Sequence, residues 1–515
     1  MLSALIWIPV LGAILVGFLP GIKTPSQLRY LSLGFATFIL CFTFWLLIQF
    51  DLTNPGMQFT EFIPWLEPLK LNYRLGVDGL SLPLLLLSSL LTWLVIFSGN
   101  QQLIRPRLYY SLILLINAGV AGGFLAQNLL LFFLFYELEL IPFYLLIAVW
   151  GGKKREYAAM KFLLYTAISG ILIFGAFLAL AWLSGTPTFN YETLTHTTQN
   201  FSLNVQLILL TVILVGFGIK IPLVPLHTWL PDAYTEASPE VAILLGGILA
   251  KLGTYGLVRF GLAMFPEAWS TASPGLAIIG AISAIYGALS AIAQKDIKRM
   301  VAYSSIGHMG YILLACAAAT PLSLVGAVTQ MFAHGLILAI LFHLVGVIET
   351  KVGTRDLDVL NGLMSPVRGL PLTSALLVLG GMASAGIPGL VGFVAEYLVL
   401  QGSFSVFPVP TLICVVCSGL TAVYFVILIN RTCFGKLENK TAYYPKVEWQ
   451  ERTPGLILAA LILFLGIQPT WLVKWSEPTT NAIIASFPAN NIQTAFQFRN
   501  VAAIPTQKTS DLEVE

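Results

Sequence analysis

Apolar runs long enough to cross a lipid bilayer divide nearly the whole chain. A helix that spans the hydrocarbon core needs about 20 predominantly apolar residues. Because backbone groups at that depth must be hydrogen-bonded within the protein, and runs of this length match spanning helices, we predict an all-α polytopic membrane protein with about fourteen transmembrane helices. The expected spans lie near residues 3–19, 31–50, 80–97, 109–126, 129–150, 162–182, 207–222, 241–264, 276–293, 303–319, 322–348, 372–400, 410–429 and 456–473.

The composition agrees with a membrane bundle and argues against several other classes. Of the 515 residues, 57% are hydrophobic and only 10% are charged, whereas roughly 25% are charged in a typical soluble domain. A net charge of +3 does not indicate nucleic-acid binding. The five cysteines lack the clustered spacing of a zinc or iron–sulfur site. We expect a single transmembrane bundle over residues 1–475 and a C-terminal tail over residues 476–515.

Lysine and arginine are distributed unevenly between alternate loops. Most of the 27 lie in odd-numbered loops, as Lys153, Lys154 and Arg155 do after the fifth span. Cytoplasmic loops of membrane proteins carry such an excess of basic residues. We therefore expect the odd-numbered loops to face the cytoplasm and both termini to face the opposite, lumenal side.

Two of the predicted spans are interrupted by proline. Pro222 and Pro225 follow Lys220 closely and remove backbone donors at the end of the seventh span. The twelfth span has a similar interruption, and its sequence IPGLV at 387–391 echoes IPLV at 221–224. Broken helices at membrane depth are typical of ion-transport paths. Since the two breaks are offset by five spans, an odd number that reverses orientation, we predict discontinuous helices 7 and 12 within two inverted five-helix repeats, about residues 107–264 and 273–430.

Few ionisable side chains lie inside the predicted spans. Lys220 and Lys251 occupy apolar runs of the seventh and eighth spans, where a charge costs roughly 2.5 to 3.5 kcal/mol on an insertion scale. Glu137 and Glu139 are two residues apart in the fifth span and therefore project to different faces of a helix. Glu396 lies beyond the break in the twelfth span. Any of these carboxyls could instead be a protonated packing group, which is the interpretation that we favour for Glu139.

Histidines are also rare in the spans. His334 and His343 are nine residues apart in one predicted helix, so they lie on opposite faces and cannot share a metal ion. A neutral imidazole can relay protons between lysines and carboxylates. Two interpretations stay open for His308 and His334. Each is either a proton relay or a buried, hydrogen-bonded structural residue.

These intramembrane groups together indicate a path for protons. Burial disfavours the charged forms of both carboxyl and amine side chains, which makes proton exchange between them easier. We predict an ion pair between Glu137 and Lys220, whose opening releases a proton toward Lys251. The candidate proton-translocating residues are Glu137, Lys220, Lys251, His308, His334 and Glu396.

The sequence contains no recognisable energy source for such a path. It has no P-loop, no G-x-G-x-x-G following a strand, no cysteine cluster and no nucleophile elbow. We therefore predict that the chain conducts and gates protons but binds no cofactor and no metal itself.

Several long motifs resemble one known family. From about Leu75 to about Gly435, the sequence resembles the antiporter-like subunits of respiratory complex I and its relatives. Within that family, a glutamate at the position of Glu396 resembles chain 4. The sequence is most similar to the cyanobacterial and chloroplast form. The segments that carry the resemblance are LGVDGLSL, LFYELELIP, GFGIKIPLVPLHTWLPDAYTEASP, LAKLGTYGLVRF, QKDIKRMVAYSSIGHMG, FAHGLILAILFHL and GIPGLVGFVAEY.

The resemblance implies a function and an assembly. It implies a proton-translocating subunit of a membrane-embedded NAD(P)H- or ferredoxin-dependent plastoquinone oxidoreductase, in a cyanobacterial thylakoid membrane. Iron–sulfur clusters, plastoquinone and NAD(P)H or reduced ferredoxin are then expected in partner subunits, which include antiporter-like chains 2 and 5, small membrane chains and a peripheral iron–sulfur arm. The resemblance assigns the ion pair to Glu137 and Lys220, the central relay to Lys251 with His308 or His334, and the exit to Glu396. It assigns nothing to Glu139.

Two other functions are compatible with the same residues. One is a Na⁺/H⁺ antiporter subunit, a secondary transporter that uses a similar set of acids and lysines. The other is a paralogue in a carbon dioxide uptake form of the complex, which differs in its partners.

Overall fold

The computed structural model describes residues 1–21, 24–99, 103–185, 188–436 and 444–487. Twelve of its helices are long and apolar enough to cross a membrane, and three shorter apolar helices add one further span and the two halves of another. The predicted fourteen spans are therefore confirmed. We label them in chain order: α1 Ser3–Phe18, α2 Pro25–Gln49, α3 Ser81–Ser98, α4 Pro106–Leu125, α5 Leu129–Trp150, α6 Arg155–Leu183, α7 Leu203–Lys220, α8 Pro239–Leu262, α9 Pro266–Ile292, α10 Ile297–Ala318, α11 Pro321–Val352, α12a Pro371–Ser384, α12b Val391–Phe404, α13 Pro408–Cys433 and α14 Trp449–Ile467.

Local sequence sets where many of these helices begin. Thr24 and Thr320 form capping boxes at the starts of α2 and α11, and Asn128 and Asp296 accept backbone N–H groups at the starts of α5 and α10. Proline often occupies the first helical position, where no hydrogen-bond donor is needed. These short-range signals define the helix ends independently of tertiary contacts.

The interior of the bundle is formed by α8, α10 and α11. The most apolar windows of α8 and α11 are completely buried, whereas about a third of the corresponding window is buried in α2, α13 and α14. Helices α9 and α10 approach each other very closely, because a Cβ at Gly280 would lie only 2.8 Å from the carbonyl oxygen of Gly310. The helices that carry Lys251, His308 and His334 are therefore the most buried of the long spans, and α2, α13 and α14 are the most exposed.

Several spans are broken, including the two that the sequence indicated. Helix α7 ends at Lys220, and a short helix, Trp229–Glu236, follows the proline-containing segment. Six residues separate α12a from α12b. The predicted discontinuities in helices 7 and 12 are confirmed. The structure adds an interruption of α5 at Glu139 and two π-helical segments in α8, Leu245–Leu249 and Leu257–Leu262, which the sequence analysis did not anticipate.

Between α2 and α3 the chain forms a β-hairpin, which departs from the all-α prediction. Strands β1 (Gln58–Leu66) and β2 (Leu71–Val77) pair antiparallel, with Phe62 opposite Arg74. The bundle also extends beyond residue 475, its expected limit. The helix Thr470–Ala485 continues past that residue and packs on α3 and α11. Most of the expected tail, from residue 488 onward, lies outside the described residues.

Candidate functional site

Lys220, at the C-terminal end of α7, forms a buried ion pair with Glu139. Its Nζ lies 2.5 Å from Oε1 of Glu139, and both side chains are almost completely buried. The Tyr136 carbonyl oxygen accepts a hydrogen bond from Nζ at 3.3 Å, and the Tyr136 ring centroid lies 3.4 Å from Nζ. A carboxylate, a carbonyl oxygen and an aromatic face together stabilise an ammonium group.

This pairing corrects two of the sequence predictions. The ion pair predicted between Glu137 and Lys220 is wrong, because Glu139 is the carboxylate in contact with the lysine. The interpretation of Glu139 as a packing carboxyl is wrong for the same reason. Glu137 is only partly buried and lies against Gly170 of α6, so the two glutamates do face different directions as predicted. Glu139 lies at the interruption of α5, and its side chain faces Lys220 of α7.

The sequence carries a signal for this arrangement. Pro142 cannot donate a backbone hydrogen bond to Leu138 and its ring crowds that carbonyl, so α5 is disturbed around Glu139. The proline therefore indicates a local irregularity of α5 near Leu138 and Glu139.

Lys251 of α8 contacts His334 of α11. Lys251 Nζ lies 2.7 Å from His334 Nδ1 and donates a hydrogen bond to the Gly246 carbonyl oxygen at 2.5 Å. When Lys251 is an ammonium group, Nδ1 accepts and His334 carries its own proton on Nε2. That Nε2 atom is buried and has no hydrogen-bond partner among the described residues.

His308 of α10 connects His334 to Glu396 of α12b. The two imidazole rings lie 5.3 Å apart between centroids, and His308 Nε2 lies 3.6 Å from Glu396 Oε1. His308 Nδ1 donates to the Ser304 carbonyl oxygen at 2.8 Å, and Nε2, which also lies 3.3 Å from the Ser384 carbonyl oxygen, is the ring nitrogen that faces the carboxyl group. Ser418 of α13 donates to Glu396 Oε2 at 2.7 Å. Lys251, His334, His308 and Glu396 thus form a continuous series of titratable groups.

The Lys220 ion pair lies beside this series. Gly253, two residues beyond Lys251, packs against Lys220. A Cβ added to Gly253 would lie 3.4 Å from the Cβ of Lys220. The structure therefore brings together Lys220, Lys251, His308, His334 and Glu396, and Glu139 takes the predicted place of Glu137. His343 faces elsewhere, as predicted, and donates from Nε2 to the Glu451 carbonyl oxygen at 2.7 Å.

A second buried ion pair was missed. Arg259, which was not among the candidate residues, lies in the last turn of α8 and pairs with Asp78 just before α3. The Tyr191 and Tyr255 rings each lie 5.4 Å from the guanidinium carbon. Within the described parts of the chain, no group of three or more His, Cys, Asp or Glu side chains gathers as a metal site.

Comparison with known proteins identifies relatives of this chain. Residues 126–421 match the family described as NADH:quinone oxidoreductase/Mrp antiporter, TM. A protein named NAD(P)H-quinone oxidoreductase chain 4 2, from Microcystis aeruginosa, is 44% identical over 405 residues, covering 78% of this chain and 72% of that protein. NAD(P)H-quinone oxidoreductase chain 4 3 from Trichormus variabilis is 39% identical over 499 residues, covering 94% and 91% of the two chains.

Solved structures share the same fold. A chain of respiratory complex I from Thermus thermophilus superimposes with a TM-score of 0.85 and 28% identity, over 94% of this chain and 99% of the other. A chain of the Mrp complex from Dietzia sp. gives a TM-score of 0.84 at 21% identity, over 96% and 98% of the two chains, and at that identity shows a common fold only.

Proposed function

Because the chain belongs to the NADH:quinone oxidoreductase/Mrp antiporter family of membrane proteins, we propose that it is a proton-translocating subunit of a redox-driven NAD(P)H- or ferredoxin-dependent quinone oxidoreductase. The resemblance inferred from the sequence motifs is thereby confirmed. The observation that carries the proposal is the series of contacts from Lys251 through His334 and His308 to Glu396, in the buried centre of the bundle.

The ion pair provides the gate in this proposal. While Glu139 contacts Lys220, the ammonium form of the lysine is stabilised. Separating the pair leaves a charge without a partner in a low-dielectric interior, which favours release of the lysine proton. A change of charge elsewhere in the complex that draws Lys220 away from Glu139 therefore moves a proton toward Lys251.

The remaining groups pass that proton across the bundle. Lys251 hands it to His334 through their direct hydrogen bond, and His308 bridges His334 and Glu396. Glu396 accepts it from Nε2 of His308, because the imidazole Nδ1 is held by the Ser304 carbonyl. Ser418 steadies the carboxylate in the orientation that receives the proton.

The redox reaction belongs to partner subunits in this proposal. We assign the iron–sulfur clusters and the sites for NAD(P)H or ferredoxin and plastoquinone to other chains, with antiporter-like chains 2 and 5 and small membrane chains as neighbours. The names of the cyanobacterial relatives support a quinone oxidoreductase. We also propose placement in a cyanobacterial thylakoid membrane, because these relatives come from cyanobacteria. The excess of basic residues in the odd-numbered loops is the ground for proposing lumenal termini.

The test is redox-driven proton uptake into closed vesicles that carry the intact complex. Lys220→Ala and Lys251→Ala are compared with Lys474→Ala, which changes an exposed lysine outside the site. Both site variants should assemble and lose proton uptake by a factor on the order of 100 or more relative to quinone reduction, since a positioned proton-transfer group contributes roughly that much. Normal uptake in assembled Lys220→Ala and Lys251→Ala complexes would show that the two charges are structural. A sodium-dependent pH change from the isolated chain would instead favour the antiporter function.

A further inference from the structure

The short helix Trp229–Glu236 is joined to α7 by a segment that does not fix its position. Residues 221–228 form turns and no helix, so the eight-residue helix is not a continuation of α7. Helices this short are also marginally stable by themselves. Contacts with other elements must therefore hold the short helix in place.

Asp232, in the first turn of the short helix, bridges two cationic side chains from different spans. Its Oδ2 atom accepts a hydrogen bond from Lys161 Nζ of α6 at 2.7 Å, and its Oδ1 atom accepts one from Arg299 Nη1 of α10 at 3.0 Å. All three side chains are partly buried. A single exposed ion pair contributes little to stability, whereas a network of charges contributes more. The carboxylate therefore holds three elements together.

The N-terminal end of the short helix contacts the residue that precedes Lys220. Trp229 Nε1 donates a hydrogen bond to the Ile219 carbonyl oxygen at 2.8 Å, and the Trp229 side chain is completely buried. The ring of Phe162, next to Lys161 on α6, lies 5.5 Å from the Trp229 ring between centroids. Because Trp229 bridges the break, a shift of the short helix displaces the end of α7 that carries Lys220.

Three successive carbonyl groups at the C-terminal end of the short helix accept hydrogen bonds from other elements. The bonds run from Arg355 Nη1 to Thr235, from the Gly152 N–H to Glu236 and from Lys298 Nζ to Ala237. Cations are favourable at a helix C-terminus, because the last carbonyl groups lack partners within the helix. This end is therefore anchored independently of Asp232, and loss of the Asp232 contacts should release only the end nearer the break.

The two cations on Asp232 belong to different parts of the bundle. Arg299 lies nine residues before His308 on α10, which is one of the most buried spans. Lys161 belongs to α6, more than half of whose most apolar window is not buried. Asp232 therefore ties the broken segment both to an interior helix of the proton path and to a peripheral helix.

We propose that Asp232 is a positioning residue for the Lys220 ion pair. It holds the short helix against α6 and α10, and Trp229 transmits that position to the end of α7. Loss of the carboxylate charge lets the short helix move and loosens the contact between Lys220 and Glu139, so that the gate opens without being driven by the rest of the complex. The inference rests on the proposed function, in which that ion pair is the gate.

The first test compares Asp232→Asn with Asp358→Asn in the intact complex in closed vesicles. Asparagine keeps the side-chain shape and removes the charge. Asp358 is the matched control, because it also bridges a lysine and an arginine, Lys295 at 2.7 Å and Arg431 at 2.8 Å, neither of which contacts the short helix. Asp232→Asn should lower proton uptake per quinone reduced by a factor of roughly three to ten. Asp358→Asn and the charge-conserving Asp232→Glu should stay close to wild type.

The same vesicles distinguish failure of the positioning role from failure of the function. Equal uptake in Asp232→Asn and Asp358→Asn, with uptake abolished in Lys220→Ala, would leave the function standing and remove the positioning role. Equal loss in Asp232→Asn and Asp232→Glu would also remove it, because charge would then not be what matters. Normal uptake in Lys220→Ala would overturn the proposed function and this inference together.

Hydrogen–deuterium exchange of the solubilised complex follows the short helix without pumping. Its backbone amides should exchange faster in Asp232→Asn than in wild type or in Asp358→Asn, because local opening exposes them to solvent. If Asp232→Asn does not assemble, Arg299→Gln is compared with Arg431→Gln, which removes the same guanidinium group from the control bridge. Exchange in the short helix that is no faster in Arg299→Gln than in Arg431→Gln would overturn the inference.

Discussion

At the scale of single residues, the assignment of the gate depends on which of two glutamates contacts Lys220. Glu139 is fully buried and forms the ion pair, whereas Glu137 is partly buried and lies against Gly170. Breaking a buried ion pair by removing one partner typically costs about 3 to 5 kcal/mol, because the other charge is left uncompensated. The two glutamates should therefore respond very differently to neutralisation.

Glu139→Gln should be more damaging than Glu137→Gln. We expect Glu139→Gln to lower the thermal stability of the solubilised complex and to abolish most coupled proton uptake, since Lys220 loses its only contacting carboxylate within the described chain. Glu137→Gln is the matched control, as the same substitution two residues away. Thermal denaturation and vesicle proton uptake measure the two effects. The reverse ranking would mean that Lys220 works with Glu137 during the reaction cycle.

At the scale of elements, helix interruptions place the charged groups. The α12 break requires Gly386 and Gly389, whose φ angles are +68° and +90°. Gly386 also adjoins the site, because a Cβ there would lie 2.7 Å from Glu396 Oε2, whereas a Cβ at Gly389 would meet no atom within 4 Å. Both glycines therefore allow the backbone conformation of the break. Gly386 alone also leaves room for the Glu396 carboxylate.

Alanine substitutions at these glycines separate the two roles. Each should destabilise the complex by about 1 to 2 kcal/mol, because an L-residue is strained at positive φ. Only Gly386→Ala should also reduce proton uptake, since its methyl group displaces Glu396 from His308 and Ser418. Measuring thermal stability and proton uptake for both variants tests this. Equal loss of uptake would show that backbone strain, and not the contact with Glu396, is responsible.

At the scale of the whole molecule, the distribution of basic residues predicts its orientation. Lys153 is exposed in the loop between α5 and α6, and Lys70 is exposed in the β-hairpin between α2 and α3. An odd-numbered loop and an even-numbered loop should lie on opposite sides of the membrane.

Thiol labelling of vesicles with the cytoplasmic face outward tests this orientation. An impermeant reagent should label Lys153→Cys directly, and it should label Lys70→Cys only after the membrane is permeabilised. The unsubstituted protein gives the background from the native cysteines. Direct labelling of Lys70→Cys would reverse the predicted sidedness of the termini.

The sequence predicts correctly those features that depend on residues close together in the chain. The spans, the breaks in helices 7 and 12 and the helix starts depend on apolar length, proline and local capping, so the sequence predicts them. The β-hairpin was missed because its partner strand, and not its composition, decides its structure. The proposed pair of inverted repeats stays a prediction.

The residues of the site were largely foreseeable, but their contacts were not. A charge inside an apolar run is costly wherever it lies, so Lys220, Lys251, Glu396 and the histidines could be recognised from the sequence alone. The sequence by itself thus determined a bundle of fourteen spans and the titratable groups within it. Only the tertiary structure decided that Glu139 contacts Lys220, and that α8, α10, α11 and α12b bring four groups into one series, because these distances depend on how separate helices pack.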